Sequence, residues 1–321
     1  MTTPAPKPPT GSQFKLKQRK REAVTKYEPN SFRDSFLKII PEDATELAKY
    51  SQTLEINESK IDYKFYAEPL FELLIVGGLI APGGIVEEGP RRNPFSIFAG
   101  EDSRAAIRAR VDILIKLTRR YKYLEKKLED TLVHLLQYVN KFGDDAAKLA
   151  TAVGMLTAMQ LCSMGVLVNL IKDHLVKDGA SLRFATGVFK SYLDEQSIDH
   201  LSATLKKSGI DNKLLDFFPP NKREEEYLTR HFESEGLKPL VDYFRKRQQF
   251  AVKDKTGAEL KEMFGSAGVP EVIAYIKQQV TANSWNEQDV IPLIWDAMMG
   301  AVDWSNRPEQ IESQLVRQLT V

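Results

Sequence analysis

The chain has 321 residues, of which 42% are hydrophobic and 28% are charged, so it holds enough apolar surface to build a folded core. Its 45 Lys and Arg residues against 44 Asp and Glu residues give a net charge of +1, which argues against a polyanion-binding protein whose whole surface is basic. Cys162 is the single cysteine, so an intrachain disulfide is excluded. Because no apolar run approaches the roughly 20 residues of a membrane-spanning helix, we expect a cytosolic or nuclear protein.

The first 28 residues differ in composition from the rest of the chain. Residues 1–13 are rich in Pro, Thr and Ser, and a group of five cations follows: Lys15, Lys17, Arg19, Lys20 and Arg21. We expect residues 1–28 to form a disordered basic tail. The five cations are the candidate residues for contact with a polyanion or a partner protein, and a solvated tail without a binding role is the alternative.

Helices are predicted from position 29 onwards by the spacing of apolar residues. The first begins after Pro29; a second is capped by Asp62 and ends at 77–78, where two glycines stand, and an irregular loop follows over 81–94. Residues 101–142 contain apolar residues every three or four positions without Pro or Gly, which predicts one long helix or two nearly contiguous ones. Further amphipathic segments predict helices over 144–157, 161–176, 180–193, 197–207, 211–217, 237–252, 259–264, 270–280, 290–302 and 309–319.

We predict an all-α fold, since no alternating run of β-branched residues is bounded by turn signals. About a dozen helices joined by short loops form either a bundle or a solenoid of stacked pairs. At this chain length the solenoid is favoured, because a single bundle core stops growing. Asn221 with Glu224 three residues later has the form of a capping box for a further helix.

Catalytic and metal-binding motifs are not found in the sequence. None of the four histidines has a second His or Cys three or four residues away, so no metal site is predicted at His134, His174, His200 or His231. The glycines of 77–84 match neither a phosphate-binding loop nor a dinucleotide fingerprint. Cys162 has apolar neighbours, as expected for a buried thiol. We therefore expect no enzyme activity, no catalytic residue, no cofactor and no small-molecule substrate.

A heptad-like series lies within 101–142. Its members are Leu114, Leu117, Tyr121, Leu124, Leu128, Thr131, Leu135, Tyr138 and Phe142. Alone it suggests a leucine zipper, but neighbouring apolar residues widen the stripe beyond a zipper seam, which favours a helix packed between two others. A nucleic-acid-binding regulator that uses the basic tail and this series is the alternative function.

Several separated blocks follow one another in a familiar order. They are Tyr-Ala-Glu at 66–68, Gly-Gly-Leu-Ile-Ala-Pro-Gly-Gly at 77–84, Arg-Arg-Tyr-Lys-Tyr-Leu-Glu-Lys at 119–126, Leu-Val-Lys-Asp-Gly at 175–179, Phe-Lys-Ser at 189–191, Asp-Asn at 211–212, Phe-Pro at 218–219 and the segment 295–304, which begins and ends with Trp. In these blocks, from about Phe14 to the C-terminus, the sequence resembles the translation initiation factor five-mimic proteins, also called the basic leucine zipper and W-two domain family.

The resemblance implies a right-handed solenoid of helical hairpins, of the HEAT or initiation-factor-scaffold type, in a cytoplasmic protein without catalytic activity. Family members mimic the C-terminal domain of initiation factor five and compete with it for factors two and three, which raises the stringency of start-codon choice. On this basis we expect a tail over 1–28, a helical repeat domain over 29–250 and the first part of a W-two domain over 251–321.

The sequence departs from the family pattern at its end. The family's W-two domain continues to acidic and aromatic boxes that bind the beta subunit of factor two, and the sequence reaches Val321 without a counterpart. The resemblance therefore assigns no residues of this chain to the contact with the beta subunit of factor two. Factor three and the ribosomal pre-initiation complex are the expected partners. A stacked array normally ends in a repeat with a polar outer face, whereas the last predicted helices carry apolar residues suited to packing against a further helix pair. We therefore also expect an exposed apolar face formed by Ile291, Leu293, Ile294, Met298 and Val302.

Overall fold

The computed structural model describes residues 26–42, 47–57 and 60–319. These residues form fourteen α-helices, numbered here in chain order. The first seven are α1 (Pro29–Ile39), α2 (Leu47–Asn57), α3 (Ala67–Ile75), α4 (Arg104–Arg120), α5 (Tyr123–Leu136), α6 (Asp145–Ala158) and α7 (Asp173–Lys177). The others are α8 (Ala180–Leu193), α9 (Ile198–Ser208), α10 (Glu225–Ser234), α11 (Lys238–Ser266), α12 (Val269–Asn283), α13 (Glu287–Gly300) and α14 (Pro308–Leu319).

Helices dominate this part of the chain, which confirms the predicted all-α class. The sheet structure among the described residues is one antiparallel hairpin of two-residue strands, β1 (Ile80–Ala81) and β2 (Ile85–Val86), in which Ile80 lies opposite Val86. The prediction of an irregular loop over 81–94 was therefore wrong for its first residues. Gly83 and Gly84 form the turn of the hairpin with positive φ angles of 95° and 80°, which glycine adopts without strain.

Alternate helices of the N-terminal half pack against each other. α1 contacts α3, α2 contacts α4, α3 contacts α5, α4 contacts α6 and α6 contacts α8. This succession is the arrangement expected of stacked helical hairpins. One continuous apolar core extends from Phe32 to Phe244, and a separate small cluster forms around Leu260, Val272 and Ala297.

Helix α11 is longer than predicted. The expected helices over 237–252 and 259–264 form one 29-residue helix that passes through Gly257. A Cβ atom at Gly257 would lie 3.1 Å from Leu293 Cδ1, so this glycine permits the close approach of α13. The predicted division of the chain between residues 250 and 251 falls inside this helix, and it stays a prediction.

Four predicted helices differ in the structure. The helix expected over 211–217 is a 3₁₀ segment, Ile210–Phe217, and the helix expected to be capped by Asp62 begins only at Ala67. Residues 161–176 form a 3₁₀ segment, Met164–Leu170, followed by part of the short α7, because the Ser163 hydroxyl accepts a hydrogen bond from Gly165 N–H and starts a tight turn. The capping box at Asn221 is not formed: Pro220–Lys222 is a 3₁₀ turn, and α10 begins three residues beyond it. Helix α2 was missed because its apolar residues are sparse.

A partly buried ion pair joins α11 to the 3₁₀ segment Ile210–Phe217. Arg247 Nε donates to Asp211 Oδ2 at 2.9 Å, and Nη1 donates to the Asp211 carbonyl oxygen at 3.1 Å. The third guanidinium nitrogen donates to the side-chain oxygen of Asn212. Because the Asp211 side chain is almost fully buried, its charge depends on Arg247 for compensation. The Asp-Asn block singled out in the sequence is thus a guanidinium-binding site.

We expect Arg247→Ala to lower the free energy of unfolding by about 2 kcal/mol, since it leaves a buried carboxylate without its charged hydrogen bonds. Arg245→Ala is the matched control: Arg245 lies 3.7 Å from Glu233 with both side chains half exposed, and its loss should cost at most about 0.5 kcal/mol. Urea unfolding followed by circular dichroism compares the two, and equal losses would contradict the role assigned to Arg247.

Candidate functional site

The predicted contact residues of the basic tail, Lys15, Lys17, Arg19, Lys20 and Arg21, lie outside the described residues. Their role stays a prediction. No helix in the described ranges has the length and apolarity needed to cross a membrane.

The heptad-like series is part of the core. Its leucines are divided between α4 and α5, and Leu114, Leu117, Leu124, Leu128 and Leu135 are all buried in the main core. Tyr121 lies between the two helices, and Tyr138 and Phe142 lie beyond the end of α5. Of the two helical forms predicted for 101–142, the pair of nearly contiguous helices is confirmed. The packed-helix interpretation is confirmed as well, and a zipper that grips DNA through these residues is excluded.

Two arginines upstream of the series, Arg104 and Arg108, also have structural partners. Arg104 Nη1 lies 2.8 Å from Asp194 Oδ2, and Arg108 Nη1 lies 2.7 Å from Glu195 Oε2 at the C-terminal end of α8. Burial would raise the pKa of Glu195, but the hydrogen bonds and charges of these two arginines outweigh it and hold that pKa below its ordinary value. The arginines therefore fasten α4 to α8 rather than presenting a free basic region.

An open cleft of about 730 Å³ lies between α5, the 3₁₀ segment Met164–Leu170 and α9. Cys162 lies on its wall but is buried, as predicted, and burial raises the pKa of its thiol. A thiol in that state is a poor nucleophile. His200, also on the wall, has Nδ1 2.7 Å from the Tyr192 hydroxyl, which in turn lies 2.9 Å from Thr204 Oγ1. These contacts anchor α9 to α8.

A group of three potential metal ligands lies between α3 and α5. Glu68 and Glu72 stand four residues apart on one face of α3, and His134 faces them from α5. His134 Nδ1 lies 3.5 Å from Glu68 Oε1 and 3.8 Å from Glu72 Oε1. We call these three residues the acid–histidine cluster.

Glu72 is the buried member of the acid–histidine cluster, with 8% of its side chain exposed. Burial raises the pKa of Glu72 to about 7, although a hydrogen bond from Ile80 N–H to Oε2 at 3.0 Å acts in the opposite direction. The negative charges of Glu68 and Glu87 raise it further. His134 Nδ1 is itself buried and has no hydrogen-bond partner.

The acid–histidine cluster was not predicted from the sequence. The expected pattern of a metal site was two His or Cys residues at helical spacing, whereas here the spaced pair consists of glutamates and the histidine comes from another helix. The available signal was Glu72 itself, a charged residue within the apolar run of α3.

Helix α13 presents an exposed apolar pair, Ile291 and Trp295, which stand four residues apart and are 64% and 54% exposed. We call this pair the α13 apolar face. The expectation of an exposed face is thus confirmed for Ile291. It was wrong for Met298 and Val302, which are buried, and for Leu293 and Ile294, which are partly buried against the cluster around Leu260. Large exposed apolar side chains that lie together are typical of protein-binding surfaces.

Stacked helical pairs around a continuous core, together with exposed apolar side chains, define a helical-repeat protein of the HEAT type. Residues 16–254 match the family model described as the 5MP1/2 HEAT domain. The chain belongs to the eIF5-mimic protein family, and both the resemblance and the HEAT-type fold are thereby confirmed.

Relatives of the chain include eIF5-mimic protein 2 of Gallus gallus and of Homo sapiens, each 34% identical over 314 residues, which are 97% of this chain and 75% of the relative. The eIF5-mimic protein 1 of Danio rerio is 34% identical over 315 residues, or 97% of this chain and 74% of that protein. No solved structure matches the chain significantly.

Proposed function

We propose that this chain is a cytoplasmic, non-catalytic scaffold that regulates translation initiation by mimicking initiation factor five. It competes with factor five for factor three and, through its helical body rather than through the family's acidic and aromatic boxes, for factor two, and so raises the stringency of start-codon choice. The observation that supports this proposal is 34% identity over 97% of the chain to proteins named eIF5-mimic. A regulator that works by competition needs binding surfaces rather than reacting groups, and a helical-repeat body supplies them.

The α13 apolar face is the surface we assign to partner binding. Trp side chains are strongly enriched among the residues that dominate binding energy at interfaces, and Trp295 has Ile291 beside it on the same face. Contact with a partner would remove both side chains from water and would contribute the hydrophobic part of the affinity.

Binding of the purified chain to purified factors two and three, with and without factor five, tests the proposal. We expect binding to at least one of the two factors and displacement by factor five. The double variant Ile291→Asp with Trp295→Asp should bind about 30-fold more weakly, as expected when a central apolar anchor is lost. Phe250→Asp is the control, because Phe250 is an exposed apolar residue on another helix, α11.

The proposal predicts competition as well as binding. If neither factor binds the chain, or if bound chain and factor five occupy the same factor without displacing each other, the chain is not a mimic of factor five. Equal loss of affinity in the double variant and in the Phe250 control would remove the α13 apolar face from the binding surface.

A further inference from the structure

We propose that Glu68, Glu72 and His134 form a binding site for a divalent transition-metal ion, with Zn²⁺ as the ion that fits best. This site is independent of the initiation-factor surface on α13. It joins α3 to α5, two neighbouring helices of the main core, through one ion.

The distances between the ligand atoms agree with a tetrahedral site. Zn–N and Zn–O bonds of about 2.1 Å place two ligand atoms of a tetrahedron about 3.4 Å apart. The two measured distances from His134 Nδ1 are 3.5 Å to Glu68 and 3.8 Å to Glu72, and all three ligand atoms lie within 4.8 Å of one another. The Glu68 side chain is 57% exposed, so it has room to adjust when an ion binds.

The imidazole nitrogen has no hydrogen bond to satisfy it. His134 Nδ1 is buried, and at 3.5 Å and 3.8 Å the carboxylate oxygens are too far away for hydrogen bonds. Buried polar atoms almost always have a partner, so an orphaned ring nitrogen that faces two carboxylates calls for an explanation. A cation between them would serve as the partner of all three groups.

The surroundings orient the ligands as they do around metal sites. Ile80 N–H, held by the β1–β2 hairpin, donates to Oε2 of Glu72 and leaves Oε1 directed towards His134. The Tyr138 ring packs edge-on against the His134 ring, with centroids 5.5 Å apart, and restricts its rotation. Outer contacts of this kind fix the orientation of carboxylate and imidazole ligands.

Charge and ligand chemistry favour a transition metal. Glu72 is almost fully buried, and none of the ion pairs found in the described part of the chain joins it to a Lys or Arg. A divalent cation would offset the cost of burying this carboxylate. Because one ligand is an imidazole, the site suits Zn²⁺ and its neighbours better than Mg²⁺ or Ca²⁺, which prefer oxygen ligands alone. Glu68, on the solvent side, leaves a fourth position for water.

Titration of the untagged, chelator-treated chain with Zn²⁺ by calorimetry tests the site. We expect one Zn²⁺ per chain. The variants His134→Ala and Glu72→Gln should each weaken Zn²⁺ binding by about 100-fold, because loss of a direct ligand costs at least as much affinity as loss of a contact that only orients a ligand. His174→Ala is the matched control, because His174 is not a member of the acid–histidine cluster and its Nε2 already has a partner, the Gln137 carbonyl oxygen at 3.2 Å. Circular dichroism verifies that each variant is folded.

A second readout uses Co²⁺, whose visible absorption reports tetrahedral coordination. The wild-type chain and the His174 variant should show this absorption, and Glu72→Gln should lose it while it keeps its helical content. The proposal is overturned if the chain binds no Zn²⁺, or if its binding survives unchanged in both the His134 and Glu72 variants. Neither result affects the proposed binding of initiation factors.

Discussion

Replacement of Asn93 by alanine is expected to lower the free energy of unfolding by about 4 kcal/mol. Asn93 is fully buried, and its side-chain amide donates to the Tyr50 hydroxyl and to the Leu73 carbonyl oxygen, both at 2.9 Å. Its side-chain oxygen accepts a hydrogen bond from Phe95 N–H at 3.0 Å. One side chain therefore satisfies two backbone groups and one hydroxyl in the core.

The size of the effect follows from what alanine would leave behind. Each buried polar group that loses its partner costs about 1–3 kcal/mol, and three groups lose theirs at once. Tyr50 is also fully buried, and its ring is stacked on Phe95 with centroids 4.1 Å apart, so its hydroxyl has little freedom to reach water. The loss should therefore destabilise both the segment around Phe95 and the packing of α2.

Asn140→Ala is the control for this experiment. Asn140 also donates a side-chain hydrogen bond, to Asp178 Oδ2 at 3.2 Å, but the bond is exposed and water can replace it, so its loss should cost at most about 0.5 kcal/mol. Urea and thermal unfolding of both variants provide the comparison. A loss below about 1 kcal/mol for Asn93→Ala would mean that water enters the site and that the hydrogen-bond network is not a stabilising element.

Asn93 also illustrates what the sequence could not predict. Apolar periodicity predicted α1, α4, α5, α6 and α8, because amphipathic spacing is a local property of the chain. It gave no indication of the role of Asn93, which lies in the segment interpreted as an irregular loop. The groups that its side-chain amide contacts, the Leu73 carbonyl oxygen and the Tyr50 hydroxyl, belong to residues 20 and 43 positions away. Such a network exists only after the helices have packed.

The candidate sites show the same limit. The apolar residues of α13 were recognised, but which of them would be exposed depends on their contacts with α11. Met298 is buried and Ile291 is exposed, although both belong to the same apolar pattern. Likewise, Glu72 stands out as a charged residue within an apolar run, but nothing in the sequence indicates that His134 faces it until α3 and α5 are placed side by side.

We expect Gly154→Ala to lower the free energy of unfolding by about 3 kcal/mol, since it overpacks the contact between α6 and α8. A Cβ atom at Gly154 would lie 2.6 Å from Ser191 Cβ and 2.7 Å from the Val188 carbonyl oxygen. The backbone oxygen cannot move without shifting α8 as a whole. Ser191 cannot move freely either, because its hydroxyl donates to the Thr151 carbonyl oxygen at 2.7 Å.

Gly265→Ala is the matched control and should give an effect of the opposite sign. Gly265 lies in α11, and a Cβ atom added there would have no neighbouring side chain within 4 Å, so alanine should stabilise the chain by up to about 1 kcal/mol through its higher helix propensity. Propensity alone predicts the same gain at Gly154. Thermal unfolding of the two variants therefore separates the intrinsic preference of the helix from the close approach of α6 and α8. If Gly154→Ala were as stable as Gly265→Ala, α8 would have room to move away from α6, and a glycine would not be needed to hold the two helices together.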